Sequence, residues 1–402
     1  MLAGAHLTRV ANSSRLYQMK MYPWRTMNRT IYYTVTAIFL VPLLAIASLG
    51  AGLSVCDYEP PESRIADLGV QGSFSWYDGP FADDRNRSIT ANVVGDYTGM
   101  ISSPVFGQAL DARTEIRVDD NGWTANAFGS GSLRSFFDAQ SSANLFGVGA
   151  IGFSLSTRSG VEVDLTGGIG TGRFRDVTPL AQAIGIQNEL LDLGQLLAPV
   201  SSTTLLELAQ ILGGMDATDD EKVAQLVNRL VATELIPGEG LGVRGLLAIE
   251  EILEASDETR LCGLDVQARL GIAAVILPEF NLATTGMLLV RYAAVPDPVS
   301  QFDSSGEAKI RLAHPEQMNI QGELAYSRQL PDGWTARAQY RFAMDRMWTD
   351  SNSTAVSHAA SGSLTTQIFG NVGLSLVGSA QFYTGDEEIT LALSVYMETD
   401  LF

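Results

Sequence analysis

The feature that most constrains this chain is a two-residue period that returns in run after run. Leu110, Ala112, Thr114, Ile116 and Val118 alternate with Asp111, Arg113, Glu115 and Arg117. Successive residues of a strand point to opposite faces, so such a run makes one apolar and one charged face. Val161, Val163 and Leu165 stand likewise against Glu162, Asp164 and Thr166, and Leu264, Val266, Ala268 and Leu270 against Asp265, Gln267 and Arg269. Ala308, Ile310 and Leu312 oppose Glu307, Lys309 and Arg311; Ala336, Ala338, Tyr340 and Phe342 oppose Arg337, Gln339 and Arg341. Turn signals such as Asp119-Asp120-Asn121-Gly122, Arg158-Ser159-Gly160, Pro331-Asp332-Gly333 and Thr384-Gly385-Asp386 separate the runs, as tight antiparallel hairpins require. The spacing predicts about fourteen strands between Leu68 and Met397, six before a break and eight after it, joined as an antiparallel sheet.

The break is helical. From Asp176 the apolar period lengthens, with Thr178-Pro179 read as an N-cap and first helical proline, and Ser202 before a leucine-rich helix. Thr218 with Glu221 forms a capping box, and a fourth helix is expected over Leu241 to Ala255. None is long or apolar enough to span a bilayer.

Before the strands, the uncharged run Ala37 to Ala47 follows Arg25 and Arg29 and leads into small residues, the three-part layout of a secretory signal; Ala37 to Val55 is also long enough for a retained transmembrane helix, but Pro42, Gly50 and Gly52 favour cleavage. Met27 is a plausible true start, with cleavage near Ala47 or Ala51. The expected layout is a signal segment over 1–51, a tether over 52–65, a first barrel segment over 66–175, a helical insert over 176–260 and a second barrel segment over 261–402. The two cysteines, Cys56 and Cys262, fit no metal or redox motif. Export leaves three fates open: a disulfide tying the tether to the segment after the insert, lipidation at Leu53-Ser54-Val55-Cys56, or free thiols.

An apolar face opposite a charged one serves a soluble sandwich as well as a membrane barrel. The aromatics favour the barrel. Trp76-Tyr77, Trp123, Trp334, Phe369 and Phe382-Tyr383 sit at strand ends beside turns, where barrels place the girdle at the lipid–water boundary. On these grounds the chain resembles the outer-membrane β-barrel proteins of Gram-negative-type bacteria, porin-like in a general sense, over roughly Ala66 to Phe402 without the insert. The resemblance is architectural. It implies an antiparallel up-and-down transmembrane β-barrel of about 12–14 strands with an inserted all-α subdomain, an outer-membrane location, and a channel for small solutes. It also implies a terminal aromatic; Phe402 is one, but it is a residue out of phase with Met397, Thr399 and Leu401.

The interior phase then names the candidate site. Arg113, Glu115, Arg117, Glu162, Asp164, Asp265, Arg269, Glu307, Arg311, Arg337 and Arg341 are expected to line a lumen, where mixed charges either set an ion-selective field or pair off to brace the wall. Because an even number of strands precedes the insert, it should emerge on the side of the N-terminus, the periplasm. There it could cap the barrel or dock a periplasmic protein or the cell wall; a plug within the lumen is the third role.

Other chemistry finds little support. With 26 Lys+Arg against 45 Asp+Glu and a net charge of -19, the chain lacks the positive surface a nucleic-acid partner needs. Gly168-Ile169-Gly170-Thr171-Gly172 has the glycine spacing of a dinucleotide loop, but the strand before it alternates with Glu162 and Asp164, unlike a buried parallel strand. Ser357-His358 is no dyad, since strand neighbours face opposite ways. The acidic turns Asp83-Asp84 and Asp386-Glu387-Glu388 read as solvated tips. The expectation is therefore a non-enzymatic protein with no cofactor and no metal, whose partner is outer-membrane lipid.

Overall fold

A computed structural model describes residues 54–60, 62–78, 87–119, 122–137, 144–157, 160–214, 218–237, 240–254, 259–276, 280–312, 316–330, 333–348, 354–369, 372–383 and 389–399. The expected signal segment over 1–51 with Met27, His314, both acidic turn groups and Phe402 lie outside them.

Six strands precede the helices: β1 (Ser63–Asp78), β2 (Arg87–Ser102), β3 (Phe106–Asp119), β4 (Gly122–Phe136), β5 (Leu145–Ser156) and β6 (Gly160–Asp176). Eight follow: β7 (Leu261–Val275), β8 (Asn281–Ala294), β9 (Ser300–Leu312), β10 (Glu316–Gln329), β11 (Trp334–Trp348), β12 (Thr354–Phe369), β13 (Val372–Tyr383) and β14 (Ile389–Thr399). They form one sheet in sequence order, every pairing antiparallel, with β1 and β14 as its terminal strands. The ladders described run only between sequence neighbours. This is the up-and-down barrel architecture that the alternation predicts.

The register keeps the two faces separate around the sheet. Leu110 lies opposite Gly131, which lies opposite Ile151, which lies opposite Leu165 and then Ile272. On the other face Asp164 lies opposite Ala273, and Asp265 opposite Arg291. The apolar face stays open: Ile151 is 54% exposed, Leu270 72% and Leu393 75%. A belt of large aliphatic side chains this continuous is unfavourable against water and natural against acyl chains. The charged face is concave. Arg134 on β4 reaches Asp265 on β7 at 2.9 Å, and Lys309 on β9 reaches Asp164 on β6 at 2.9 Å. Three strand intervals measure about 14 Å along a flat sheet, so only a sheet rolled sharply toward its polar side brings these groups together. Near one rim β6 also meets the first two strands, where Arg173 Nε donates to Ser102 Oγ at 3.1 Å and the Asp176 amide to Ser63 Oγ at 3.0 Å.

Glycine allows the roll. In β6, Gly168, Gly170 and Gly172 all lie on the concave phase, and a Cβ on Gly172 would stand 1.8 Å from the Leu264 carbonyl oxygen. Gly172 (φ +101°) and Gly263 (φ +149°) occupy backbone conformations that side chains rarely tolerate. The Gly-rich run is thus a bend in the wall.

Since β6 ends and β7 begins at the rim where β1 starts, the insert stands at that rim. Its helices are α1 (Thr178–Asp192), α2 (Ser202–Leu212), α3 (Asp219–Val231) and α4 (Val243–Glu254). Among the described residues no helix is long and apolar enough to cross a membrane. Two caps differ from expectation. Thr178 is already helical, with Val177 at the cap position, and its hydroxyl accepts from the Arg260 amide at 2.8 Å instead. Ser201, not Ser202, caps α2, accepting from the Thr204 amide. The Thr218–Glu221 capping box is present at the start of α3. The bond from the Val177 amide to the Arg260 carbonyl, 2.8 Å, closes the base of the insert.

Leu180, Ile186, Leu190, Leu208, Leu226, Leu230 and Ile249 form the core of this module, joined by Val295 from the β8–β9 connection and by Val55 and Tyr58 from the tether. Tyr58 Oη donates to the Ala209 carbonyl at 3.2 Å, and burial, with the Asp176 carboxylate nearby, pushes its phenol above the ordinary value. Beside it, Cys56 and Cys262 are joined by a disulfide across 206 residues, with Cα atoms 5.4 Å apart. A thiol so engaged is not a lipid acceptor. Because the tether supplies two core side chains, loosening it should loosen the helices while sparing the wall. Cys262→Ser is expected to destabilise the module locally by about 2 kcal/mol or more. Amide exchange should accordingly quicken across Leu180 to Ala209 while heat-dependent gel mobility stays unchanged; unaltered exchange there would count against the argument.

Candidate functional site

The alternation that builds the wall also delivers the interior: every sequence-predicted lumen residue sits on the concave phase. What the sequence does not show is how those charges meet. Asp164 contacts Lys309, and Glu162 faces Arg311 at 3.4 Å, both pairs crossing from β6 to β9 over two intervening strands. Arg341 pairs with Glu323 across the β10–β11 ladder at 3.0 Å, and Arg117 lies 3.7 Å from Asp119 on its own strand. Arg113, Glu115, Glu307 and Arg337 make no ion pair among the described residues.

The most enclosed group centres on Asp265, which is fully buried. Its carboxylate takes Arg134 at 2.9 Å and two contacts from Gln267 Nε2, at 2.9 and 2.7 Å. The Gln267 carbonyl oxygen in turn accepts from Arg269 Nε at 2.8 Å, so that the amide relays Arg269 to Asp265. The Arg134 guanidinium lies 5.3 Å from the centre of the Phe146 ring, and Phe146 packs edge-on against Phe136. A cation over an aromatic face, ion-paired on another side, is held in one orientation. This cluster and the Asp164–Lys309 pair cross the interior and narrow it.

Two cavities open on the same face. One, of about 450 Å³, lies between β2 and β6 and is lined by Asp96, Asp111, Arg113, Phe128, Ser130 and Asp164. The other, of about 220 Å³, is bounded by strands from β1 to β10, with Asp111, Arg134, Arg291, Asp303 and Glu323 among its lining side chains.

Arg134, Glu323 and Arg291 are interior groups that the sequence reading did not single out. Glu323 and Arg291 share the readable phase of their strands. Arg134 is hidden in Gly129-Ser130-Gly131-Ser132-Leu133-Arg134-Ser135, where small residues occupy both faces and the alternation fades. Gln267, Lys309 and Asp111 stand on the polar side of their runs but were not counted among the lumen candidates. On the outer face, Tyr340 Oη and His358 Nδ1 are hydrogen-bonded at 2.7 Å and the imidazole stacks on Phe382 at 4.5 Å. His358 is thus engaged with aromatics on the side opposite Ser357.

No family model matches the chain, and no curated protein matches it either. Among solved structures it is similar to a loop L8 deletion mutant of OmpT, an outer membrane protein of Vibrio cholerae. The identity is 7%, the alignment covers 84% of this chain and 100% of that one, and the TM-score is 0.34.

Proposed function

We propose that the chain is an outer-membrane β-barrel forming a narrow passage for small polar or charged solutes. The reading rests on one observation: an open apolar belt on the convex face surrounds a concave face of arginines, lysine and carboxylates. A bilayer core accepts strands only when their backbone groups are satisfied within a barrel, and lipid-facing aliphatics with interior charges are the pattern such barrels show. The apolar Ala37 to Ala47 run serves as the export signal, and the helical insert stands at the periplasmic mouth. The cross-wall pairs keep the passage narrow, so that a solute meets fixed charges of both signs at short range.

Purified, refolded protein in a planar bilayer should give discrete conductance steps. Replacing Arg337 and Arg341 together by glutamine removes two interior positive charges, and the reversal potential in a salt gradient should move toward cation selectivity. A correctly folded barrel that is silent, or whose reversal potential ignores both substitutions, sinks the channel reading; docking through residues 177–260 would then take its place.

A further inference from the structure

Arg291 has a natural partner that it does not use. Asp265 lies directly opposite it in the β7–β8 ladder, yet the Asp265 carboxylate is turned to Arg134 and Gln267. Arg291 is left with no hydrogen bond or ion pair among the described residues. It lies within electrostatic reach of both Arg134 and Arg269. Asp111 and Glu307 lie within the same reach, so of the three guanidiniums it is Arg291 alone that has no partner of its own among the described residues. Arg134 adds a second signal: its side chain is only 10% exposed, and its Nε is buried without a hydrogen-bond partner.

Both arginines line the cavity of about 220 Å³. Its remaining walls are largely apolar, from Ile65, Met100, Ala109, Phe174 and Leu261. The carboxylates at its edge are engaged elsewhere: Asp303 accepts from Gln301 at 2.9 Å, Glu323 from Arg341 at 3.0 Å and Asp111 from Ser130 at 3.5 Å. A void of about 150 Å³ lined by aliphatic groups accommodates benzene, whereas drug-sized ligands occupy roughly 300 Å³ and more. This chamber thus fits one ring or a short alkyl chain together with one small anionic head. The planar fork of arginine matches a carboxylate in both shape and charge.

We propose that the chamber is a binding site for small organic monocarboxylates, with the head on Arg291 and the unpaired Arg134 Nε and the apolar body against Ile65, Met100 and Phe174. The site deepens the passage reading by naming a solute class, but it does not require conduction. Binding to the full-length barrel in detergent is therefore the test, with isothermal titration of benzoate as probe and benzamide as its uncharged counterpart. Benzoate should bind saturably at one site and at least about tenfold more tightly than benzamide. Arg291→Gln should weaken benzoate by about tenfold or more and leave benzamide unchanged, and Ala109→Leu, which fills the chamber without touching a charge, should weaken both. Equal affinities for the two probes, no saturable binding, or an Arg291→Gln barrel that migrates as folded and still binds benzoate as tightly would overturn the proposal. A barrel silent in a bilayer that nonetheless binds benzoate would sink the passage and keep the site; a conducting barrel indifferent to benzoate would do the reverse.

Discussion

Gly172→Val is expected to prevent the barrel from assembling. At this position two costs coincide. The backbone sits at φ +101°, where a β-branched residue is strained by about 1–3 kcal/mol. The new Cβ would also stand 1.8 Å from the Leu264 carbonyl oxygen and 2.7 Å from its carbon. These are backbone atoms of the neighbouring strand, so relief requires the β6–β7 ladder to part. Gly263, paired with Phe174 further along the same ladder, behaves alike, for a Cβ there would lie 2.1 Å from the Arg173 carbonyl oxygen at φ +149°. Opening this seam flattens the bend that brings β4 against β7 and β6 against β9, and every cross-wall ion pair depends on that bend. Refolding of Gly172→Val or Gly263→Val into detergent, scored by heat-dependent mobility, should yield little or no folded band. Gly149→Ala and Gly378→Ala are the controls, since nothing lies within 4 Å of a Cβ at either position. A folded Gly172→Val barrel at wild-type yield would show that the bend does not need the glycine.

The same seam marks where the sequence stops being readable. A period of two is set by geometry within one strand, so runs such as Leu110 to Val118 disclose their faces without reference to any partner. The insert was legible for the same local reason, through a change of period and a capping box at Thr218 and Glu221. Partners across the roll are not local. Asp164 and Lys309 are separated by 145 residues, and nothing in either run says which charge meets which. Arg134 was lost because its strand is small on both faces. Gly168 to Gly172 show in the sequence only the glycine spacing of a loop; the need for glycine comes from the carbonyls of β7, which the run itself does not contain. Thr178 presents the composition of a cap, yet its hydroxyl is drawn into the base of the insert by the amide of Arg260, more than eighty residues later in the chain.

The interior charges also differ in what they do, and Asp265 separates bracing from field-setting. It is wholly enclosed and satisfies Arg134 directly and Arg269 through Gln267. Removing one partner of a buried pair leaves the other uncompensated, at about 3–5 kcal/mol, whereas replacing both by apolar groups of similar size is often close to neutral. Asp265→Ala should therefore lower barrel stability by about that amount in urea unfolding from lipid vesicles. Arg134→Met combined with Asp265→Leu should recover most of it, even though the double variant lacks both charges. Arg341→Gln, at a side chain 61% exposed beside Glu323, should cost under about 1 kcal/mol in the same assay. The two classes then part by measurement: exposed arginines move selectivity with little effect on stability, and the Asp265 cluster moves stability first. Should the single and double variants at Arg134 and Asp265 unfold at the same urea concentration, the cluster is not a brace, and the narrowness of the interior needs another cause.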